Sequence, residues 1–285
     1  MRLAIAPTPL AHLKTSCYPI VRNLTEANVA EKERAPLTLS KDGRIATITI
    51  DNFKPVTLAK GIQQTNTLDA ELFDEIDRRL DEIEKINADC VVFTGIGQPP
   101  GAPYPVFCDG IDLTVLANLK FQDFSDDMKR EVGIRHAGVN VLNRIRDMSQ
   151  YFIARINGFC IGGGLELALG CDHLISLPKI LIGFPEAKFG ILPGWNGLQN
   201  LAAKIGEEKA CKFFFEGFFR PSGKHLYRNG IVTAEEAFRL GIVDAIVQLP
   251  DWADLRISVI AEEFSFGRRH RRQKPKLEVF KMMPE

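Results

Sequence analysis

Three consecutive glycines stand directly before a helix-like stretch that carries a carboxylate. The glycines are Gly162, Gly163 and Gly164, and the carboxylate is Glu166. Backbone N–H groups that lack a neighbouring Cβ can approach a ligand closely, and the first N–H groups of a helix are unpaired and carry partial positive charge. The pattern therefore predicts a cradle for an oxygen that gains negative charge during a reaction. Glu166, one turn into the helix, is placed to move protons beside that oxygen.

Composition sets broad limits on the class of protein. The chain has 285 residues, of which 45% are hydrophobic and 25% charged, and its formal net charge is +0. These values are typical of a globular protein with enough apolar material for a core. A neutral net charge provides no general attraction to nucleic acid or to membranes. No uninterrupted apolar run reaches about 18 residues, so we expect no transmembrane helix.

Cysteine and histidine usage predicts free thiols and no metal site. The six cysteines are scattered without a Cys-x-x-Cys pair, and the five histidines show no ligand spacing. This pattern is typical of buried thiols in a reducing compartment. The first 25 residues contain basic and no acidic side chains, as transit peptides do, but three prolines interrupt any amphipathic helix there. We therefore expect a cytoplasmic protein rather than an imported one.

The elements that must position the glycines and the carboxylate alternate between strands and helices. Periodicity and β-branched runs predict strands at residues 37–39, 45–50, 90–94, 151–156 and 174–177, and helices at residues 70–86 and 128–146. The first two strands flank an Asp-Gly turn at Asp42-Gly43, which predicts a hairpin. Strands that alternate with helices predict βαβ units and a parallel sheet buried on both faces.

Four segments of the chain resemble the enoyl-CoA hydratase/isomerase (crotonase) family. They are residues 107–113 (FCDGIDL), 154–168 (ARINGFCIGGGLELA), 184–194 (FPEAKFGILPG) and 234–244 (AEEAFRLGIVD). Their order and spacing also fit, so the resemblance covers roughly residues 37–265. It implies an α/β crotonase-like fold, in which ββα-type units form a spiral core, followed by a C-terminal helical region.

The resemblance also implies that two backbone N–H groups stabilise the enolate of an acyl thioester. Carried over by position, the donors are those of Ile111, which follows Gly110, and of Gly163. Gly162, Gly164, Asp112 and Trp195 are then supporting residues. Tight packing of a strand against a helix is the alternative explanation for the glycines.

Two carboxylates, Glu166 and Glu186, match those of family members that add water to a double bond. The hypothesis is that Glu166 activates the water and Glu186 handles the proton at the α-carbon. We expect a shared, partly dry site to separate their pKa values. An acid at a helix start after Pro185 is the alternative for Glu186. Isomerisation, decarboxylation and cleavage of a β-dicarbonyl carbon–carbon bond remain alternative reactions of the same site.

The chain departs from the family pattern at several positions. Trp195 stands where small residues are usual, and either packing or shaping of the acyl pocket explains it. Asp109 precedes the glycine where a small residue is usual, and a carboxylate there would oppose enolate charge. We therefore expect Asp109 to point outward or to be hydrogen-bonded. The loop at residues 97–105 is long, and residues 220–230 form an insertion that is either a lid or an oligomer contact.

Three regions are predicted: an N-terminal arm (1–36), a crotonase-like core (37–250), and a C-terminal helix with a basic tail (251–285). The basic cluster at residues 268–276 is a solvated tail, a phosphate contact to coenzyme A, or a nucleic-acid patch. The last alternative implies a non-enzymatic RNA-binding or interaction subunit, and we expect no nucleic-acid partner. The resemblance implies a homotrimer or dimer of trimers that acts on an acyl-CoA or acyl-carrier thioester. Coenzyme A is then part of the substrate, and no separate cofactor is expected.

Overall fold

The computed structural model describes residues 37–58, 61–98, 104–111, 126–189, 191–219 and 230–272. The predicted N-terminal arm, Asp112, residues 220–229 of the insertion and residues 273–285 of the tail lie outside the described residues. The strands are β1 (Leu37–Asp42), β2 (Ile45–Ile50), β3 (Phe53–Leu58), β4 (Gly61–Leu68), β5 (Cys90–Gly95), β6 (Val106–Cys108), β7 (Gly110–Ile111), β8 (Tyr151–Ile156), β9 (Phe159–Ile161), β10 (His173–Ser176), β11 (Leu181–Gly183), β12 (Ile231–Thr233) and β13 (Ala245–Ile246). The helices are α1 (Ala70–Lys85), α2 (Asp126–Asp147), α3 (Gly163–Gly170), α4 (Gly197–Ile205), α5 (Glu207–Phe219), α6 (Ala234–Leu240) and α7 (Pro250–Ser265).

A six-stranded sheet in the order β1-β2-β5-β8-β10-β13 forms the centre of the fold. Only β1 and β2 are antiparallel, and the other neighbours are parallel. Every residue of β5 is buried, as expected of a strand covered on both faces. The predicted parallel sheet is therefore confirmed. The hairpin turn lies one residue later than predicted, because Asp42 still pairs with Ile45 and Gly43, at φ +56°, takes the first turn position.

Helices α1 and α2 cover one face of this sheet and lie beside each other. Asp69 caps α1 by accepting a hydrogen bond from the Leu72 N–H at 2.8 Å. All five apolar positions predicted for α1 are buried: Leu72, Phe73, Ile76, Leu80 and Ile83. Arg144 on α2 forms salt bridges with Asp77, Asp81 and Glu84 on α1. These contacts fix the two helices relative to each other above the sheet.

Two smaller sheets bring β7 next to the start of α3. One has the order β12-β11-β9-β6 and the other β3-β4-β7. Sequence analysis missed the β3–β4 hairpin. The buried Asn66 side chain on β4 donates to the carbonyls of Ile50 and Phe107, at 3.0 Å each, and so joins three strands. Strand β6, which ends two residues before Gly110, pairs with β9, and β9 leads directly into α3. The chain around Gly110 therefore lies beside the first turn of α3.

Helix α7 packs on the opposite face of the central sheet. Its buried residues are Ala253, Ile257, Ile260 and Ala261, and they contact side chains of β5, β8 and β10. The cysteines within the described residues are free thiols, of which Cys90, Cys108, Cys160 and Cys171 are buried and Cys211 is exposed. No helix in the described part of the chain combines the length and apolar character needed to cross a membrane.

Candidate active site

The first turn of α3 and the strand end at Gly110 form the two sides of one small region. Gly162 caps α3 at φ +56°, and no side chain caps this end of the helix. Gly110 has φ +85°, and a β-carbon there would lie 2.7 Å from the Gly163 nitrogen and 2.9 Å from the Ile161 oxygen. Only glycine permits both this backbone conformation and this approach. The structure therefore brings Gly110-Ile111 and Gly162-Gly163 together, as predicted.

The third glycine of the triplet has a different role. A β-carbon on Gly164 would collide with the backbone oxygen of Cys108 on β6. Gly164 is thus required for close packing of α3 against a strand, which is the alternative that the sequence left open for the glycines. Gly162 and Gly163 also lie against side chains, those of Glu186 and Trp195, so close packing bears on all three glycines, and the anion cradle stays a prediction.

Glu166 is a buried carboxylate held by backbone donors. Its Oε1 accepts hydrogen bonds from the N–H groups of Trp195, at 2.7 Å, and Gly197, at 2.8 Å. Burial raises the pKa of Glu166 to about 7, against the opposing effects of backbone N–H groups at Gly197, Trp195 and Gly194 and of the Arg135 charge. The donors stabilise the ionised form and so limit the rise caused by burial.

Glu186 lies on the glycine that precedes α3. It begins a 3-10 turn, Glu186–Phe189, directly after β11. A β-carbon on Gly162 would lie 2.9 Å from Oε1 of Glu186, which places this carboxylate against the start of α3. Its Oε2 is shielded from solvent and has no hydrogen-bond partner within the described residues. The shielded oxygen argues against the alternative of a surface acid at a helix start.

The two carboxylates differ in their protonation. Burial, and to a smaller extent the negative charge of Glu166, raise the pKa of Glu186 to about 8. Glu166, with its backbone donors, therefore ionises first, and Glu186 keeps its proton to higher pH. Near neutral pH the pair can therefore hold one carboxylate, on Glu166, and one carboxylic acid, on Glu186. The two apparent values belong to the pair, because each group responds to the charge of the other.

Trp195 is buried at the edge of this region. Its six-membered ring lies on Gly163, where a β-carbon would collide with Cζ3, and its five-membered ring lies on Gly138 of α2. Phe73 on α1 meets the indole edge to face, with ring centroids 4.8 Å apart and an interplanar angle of 81°. The structure thus gives Trp195 a packing role. Sequence analysis missed Gly138, although an isolated glycine inside a predicted helix indicates a close neighbour.

Asp109 is hydrogen-bonded rather than turned outward. Its N–H donates to the Asn66 oxygen at 2.9 Å. Burial raises the pKa of its carboxyl to about 7, and a hydrogen bond from the Asn66 backbone acts in the opposite direction. A carboxyl that is partly protonated near neutral pH opposes the charge of a neighbouring enolate less than an ionised one does. The carboxyl is therefore buried rather than turned outward, and the expected hydrogen bonding holds only in part, because Oδ2 has no hydrogen-bond partner within the described residues.

Arginines of the basic cluster bind their own chain. Arg271 forms a salt bridge with Asp172 at 3.0 Å and donates to the carbonyls of Ile145 and Arg146 at the end of α2 and of Met148 just after it. Arg272 donates to the carbonyls of Leu169, at 2.7 Å, and Cys171, at 3.1 Å, at the end of α3. Arg269 pairs with Glu263. Arg271 and Arg272 thus cap helix ends, and Arg269 pairs with an acidic side chain, so none of the three supports a phosphate contact or a nucleic-acid patch.

Metal binding has no candidate site in the described ranges, where no group of three or more His, Cys, Asp or Glu side chains is placed to hold an ion.

Comparison with known proteins identifies the family. The family model described as enoyl-CoA hydratase/isomerase matches residues 54–274. The Bacillus subtilis protein YngF is 32% identical over 206 residues, which cover 72% of this chain and 69% of the relative. The short-chain-enoyl-CoA hydratase of Clostridium acetobutylicum is 29% identical over 211 residues, with coverage of 74% and 68%.

Solved structures show the same fold. The enoyl-CoA hydratase from Bacillus anthracis superposes with a TM-score of 0.62 at 25% identity, and the match covers 81% of this chain and 77% of that one. The crotonase-like α/β fold that the sequence predicts is confirmed by this match. With the family model matching more than half of its length, the chain belongs to the enoyl-CoA hydratase/isomerase family.

Proposed function

We propose that this protein catalyses the reversible addition of water to the double bond of a 2-enoyl thioester, carried on coenzyme A or on an acyl carrier. The observation that supports this proposal is the pair of buried carboxylates with unequal pKa values at the start of α3. Hydration needs one base and one acid in the same site, and the pair supplies both near neutral pH. Isomerisation of a double bond needs only one group that carries a proton between two carbons.

The proposed reaction begins when Glu166 takes a proton from water. The water oxygen bonds to the β-carbon, and the π electrons move through the α-carbon to the thioester oxygen. The N–H groups of Ile111 and Gly163 stabilise the resulting enolate oxygen. Glu186 then gives its proton to the α-carbon, which restores the carbonyl. The product contains one added water, and transfer of a proton from Glu166 to Glu186 resets the site.

Loss of the ultraviolet absorbance of crotonyl-CoA tests this proposal directly. The wild-type protein is expected to remove the absorbance at neutral pH. Glu166→Gln and Glu186→Gln are each expected to lower kcat by about 10²- to 10⁴-fold, because each removes one proton-transfer group. The circular dichroism spectrum and native mass of both variants serve as controls for folding.

Two outcomes of this assay contradict hydration. The proposal is wrong if the folded wild-type protein does not turn over crotonyl-CoA. Conversion of a 3-enoyl-CoA to a 2-enoyl-CoA by the same sample would favour the isomerase alternative. If Glu166→Gln kept the crotonyl-CoA turnover of the wild-type protein and Glu186→Gln lost it, a single carboxylate would be sufficient for the reaction.

Assembly as a homotrimer or dimer of trimers is part of the proposal. It rests on the family, and large apolar side chains exposed along α7, including Leu255 and Val259, support association. Light scattering coupled to size exclusion measures the mass. A monomer at micromolar concentration contradicts this part of the proposal alone.

A further inference from the structure

The indole of Trp195 lies between Gly163, which carries a proposed oxyanion donor, and helices α1 and α2. The residue is 4% exposed, and its ring extends from Gly163, at the start of α3, to Gly138, in the middle of α2. A β-carbon on Gly138 would lie 2.6 Å from Cδ1 of the ring. Both rings of the indole therefore pack directly on the backbone of a glycine. Phe73 on α1 packs edge to face against the indole. The ring therefore has little freedom to move away from Gly163.

The same residue also holds the proposed base. The backbone N–H of Trp195 donates to Oε1 of Glu166 at 2.7 Å. Its side chain lies on Gly163, which carries a proposed oxyanion donor. Glu186 lies on the adjacent glycine, Gly162. The ring thus borders the space in which the carbonyl, the α-carbon and the β-carbon of a substrate must lie. Carbons beyond the β-carbon have to pass the ring or displace it.

We propose that Trp195 is a specificity-determining residue that restricts the substrate to short acyl chains. This inference rests on the proposed function, since it takes the thioester oxygen to be bound at Gly163. Displacing a ring seated on two glycines would push it into the backbone of α2 or α3, and interiors packed at this density do not yield by a methylene without cost. Long chains are therefore excluded by packing rather than by charge.

A chain-length series measures the effect. In the wild-type protein, kcat/KM for 2-octenoyl-CoA is expected to be at least about tenfold below that for crotonyl-CoA, because pockets discriminate by about ten- to 200-fold for one methylene that does not fit. Trp195→Ala is expected to raise the ratio of the octenoyl to the crotonyl value by at least about tenfold. Trp195→Phe, which keeps an aromatic ring of smaller size, is expected to give a smaller rise. A ratio that is equal in the three proteins overturns the inference.

A binding experiment keeps the inference testable if Trp195→Ala does not fold. The chain has two tryptophans, and the second, Trp252, is 54% exposed on α7. Trp252→Phe therefore makes Trp195 the single fluorophore. Butyryl-CoA, which has no double bond to hydrate, is expected to change the emission of this variant, whereas coenzyme A alone is not. Calorimetric binding of butyryl-CoA without any change in emission overturns the inference.

These measurements separate the inference from the proposed reaction. Crotonyl-CoA turnover with an unchanged chain-length ratio in Trp195→Ala contradicts the role of the ring and leaves hydration intact. A butyryl-dependent emission change in a protein without crotonyl-CoA turnover contradicts hydration and supports the contact between the acyl chain and Trp195.

Discussion

The two ends of α3 are built in opposite ways. At its N-terminal end the helix begins at three glycines without a side-chain cap, and two carboxylates with raised pKa values lie beside it. At its C-terminal end, eight residues later, Arg272 binds the carbonyls of Leu169 and Cys171. One end leaves hydrogen-bonding groups available, and the other satisfies them from the same chain.

This difference indicates how a short helix can serve as an anion site. A helix of eight residues is only marginally stable in isolation, so its geometry depends on the contacts around it. A cation at the C-terminal end stabilises the helix and its last carbonyls without occupying the N-terminal end. The arginines that sequence analysis assigned to a tail thus contribute to the support of the proposed oxyanion region from behind.

Gly110→Ala tests the open end and should have the larger effect. The new β-carbon would lie 2.7 Å from the Gly163 nitrogen, so the two proposed donors must separate. Loss of one oxyanion donor costs about 10²- to 10³-fold in kcat. Crotonyl-CoA turnover under saturating substrate measures this loss.

Gly206→Ala is the matched control for this substitution. Gly206 has φ +89°, close to the +85° of Gly110, but a β-carbon there meets nothing within 4 Å. Both variants place an L-residue at positive φ and lose stability for that reason, by about 1–3 kcal/mol for a residue in such a conformation. Only Gly110→Ala should lose turnover. Equal kcat values in the two variants would mean that the approach of Gly110 to Gly163 is unimportant for the reaction.

Arg272→Gln tests the capped end and should change stability rather than turnover. The substitution removes charge-assisted hydrogen bonds to two carbonyls, which predicts a loss of about 1–3 kcal/mol in the free energy of unfolding. Urea denaturation measures the loss, and kcat at a temperature well below the transition is expected to stay within about twofold.

Arg268→Gln provides the comparison for this arginine. Arg268 is exposed and lies over the Phe266 ring at 5.1 Å. Its replacement should cost about 0.5 kcal/mol or less, as is usual for surface substitutions. If both variants lost the same free energy of unfolding, the contacts of Arg272 with α3 would not contribute specifically to stability.

The sequence predicted the elements whose patterns are local. The period of α1, the β-branched run of β5 and the strand before the glycine triplet all follow from neighbouring residues, and the structure confirms them. The family resemblance added the meeting of Gly110 with Gly163, which are far apart in the chain. No local pattern contains that contact.

Other features could not be predicted because they depend on distant partners. A run of arginines looks the same whether it is solvated or capping helices, and Arg271 finds Asp172 and the end of α2 only in the folded chain. The β3–β4 hairpin was missed because its strands contain Pro55, Gln63 and Gln64 rather than an apolar alternation. The seat of Trp195 on Gly138 likewise joins residues from separate elements.

The smallest predicted effect concerns the stability of the open end. The pKa of Glu186 is raised from 4.5 to about 8 in the folded protein, so the folded state holds this proton more tightly than the unfolded chain does. Its contribution to stability is fully present below about pH 4.5 and is lost as the pH rises through about 8. Glu186→Gln does not titrate. Relative to wild type, the free energy of unfolding of this variant should therefore increase between pH 5 and pH 9.

Glu235→Gln gives the opposite sign and completes the comparison. Partial burial raises the pKa of Glu235, but backbone N–H groups, including that of Lys179 at 2.9 Å, lower it by more, so the net shift is downward. Its contribution is present above the unfolded pKa and is lost as the pH falls. Urea denaturation at pH 5 and pH 9 should then show a gain at high pH for Glu186→Gln and none for Glu235→Gln. Only Glu186 is buried beside α3. An increase in the free energy of unfolding of both variants at high pH would therefore indicate a general effect of net charge.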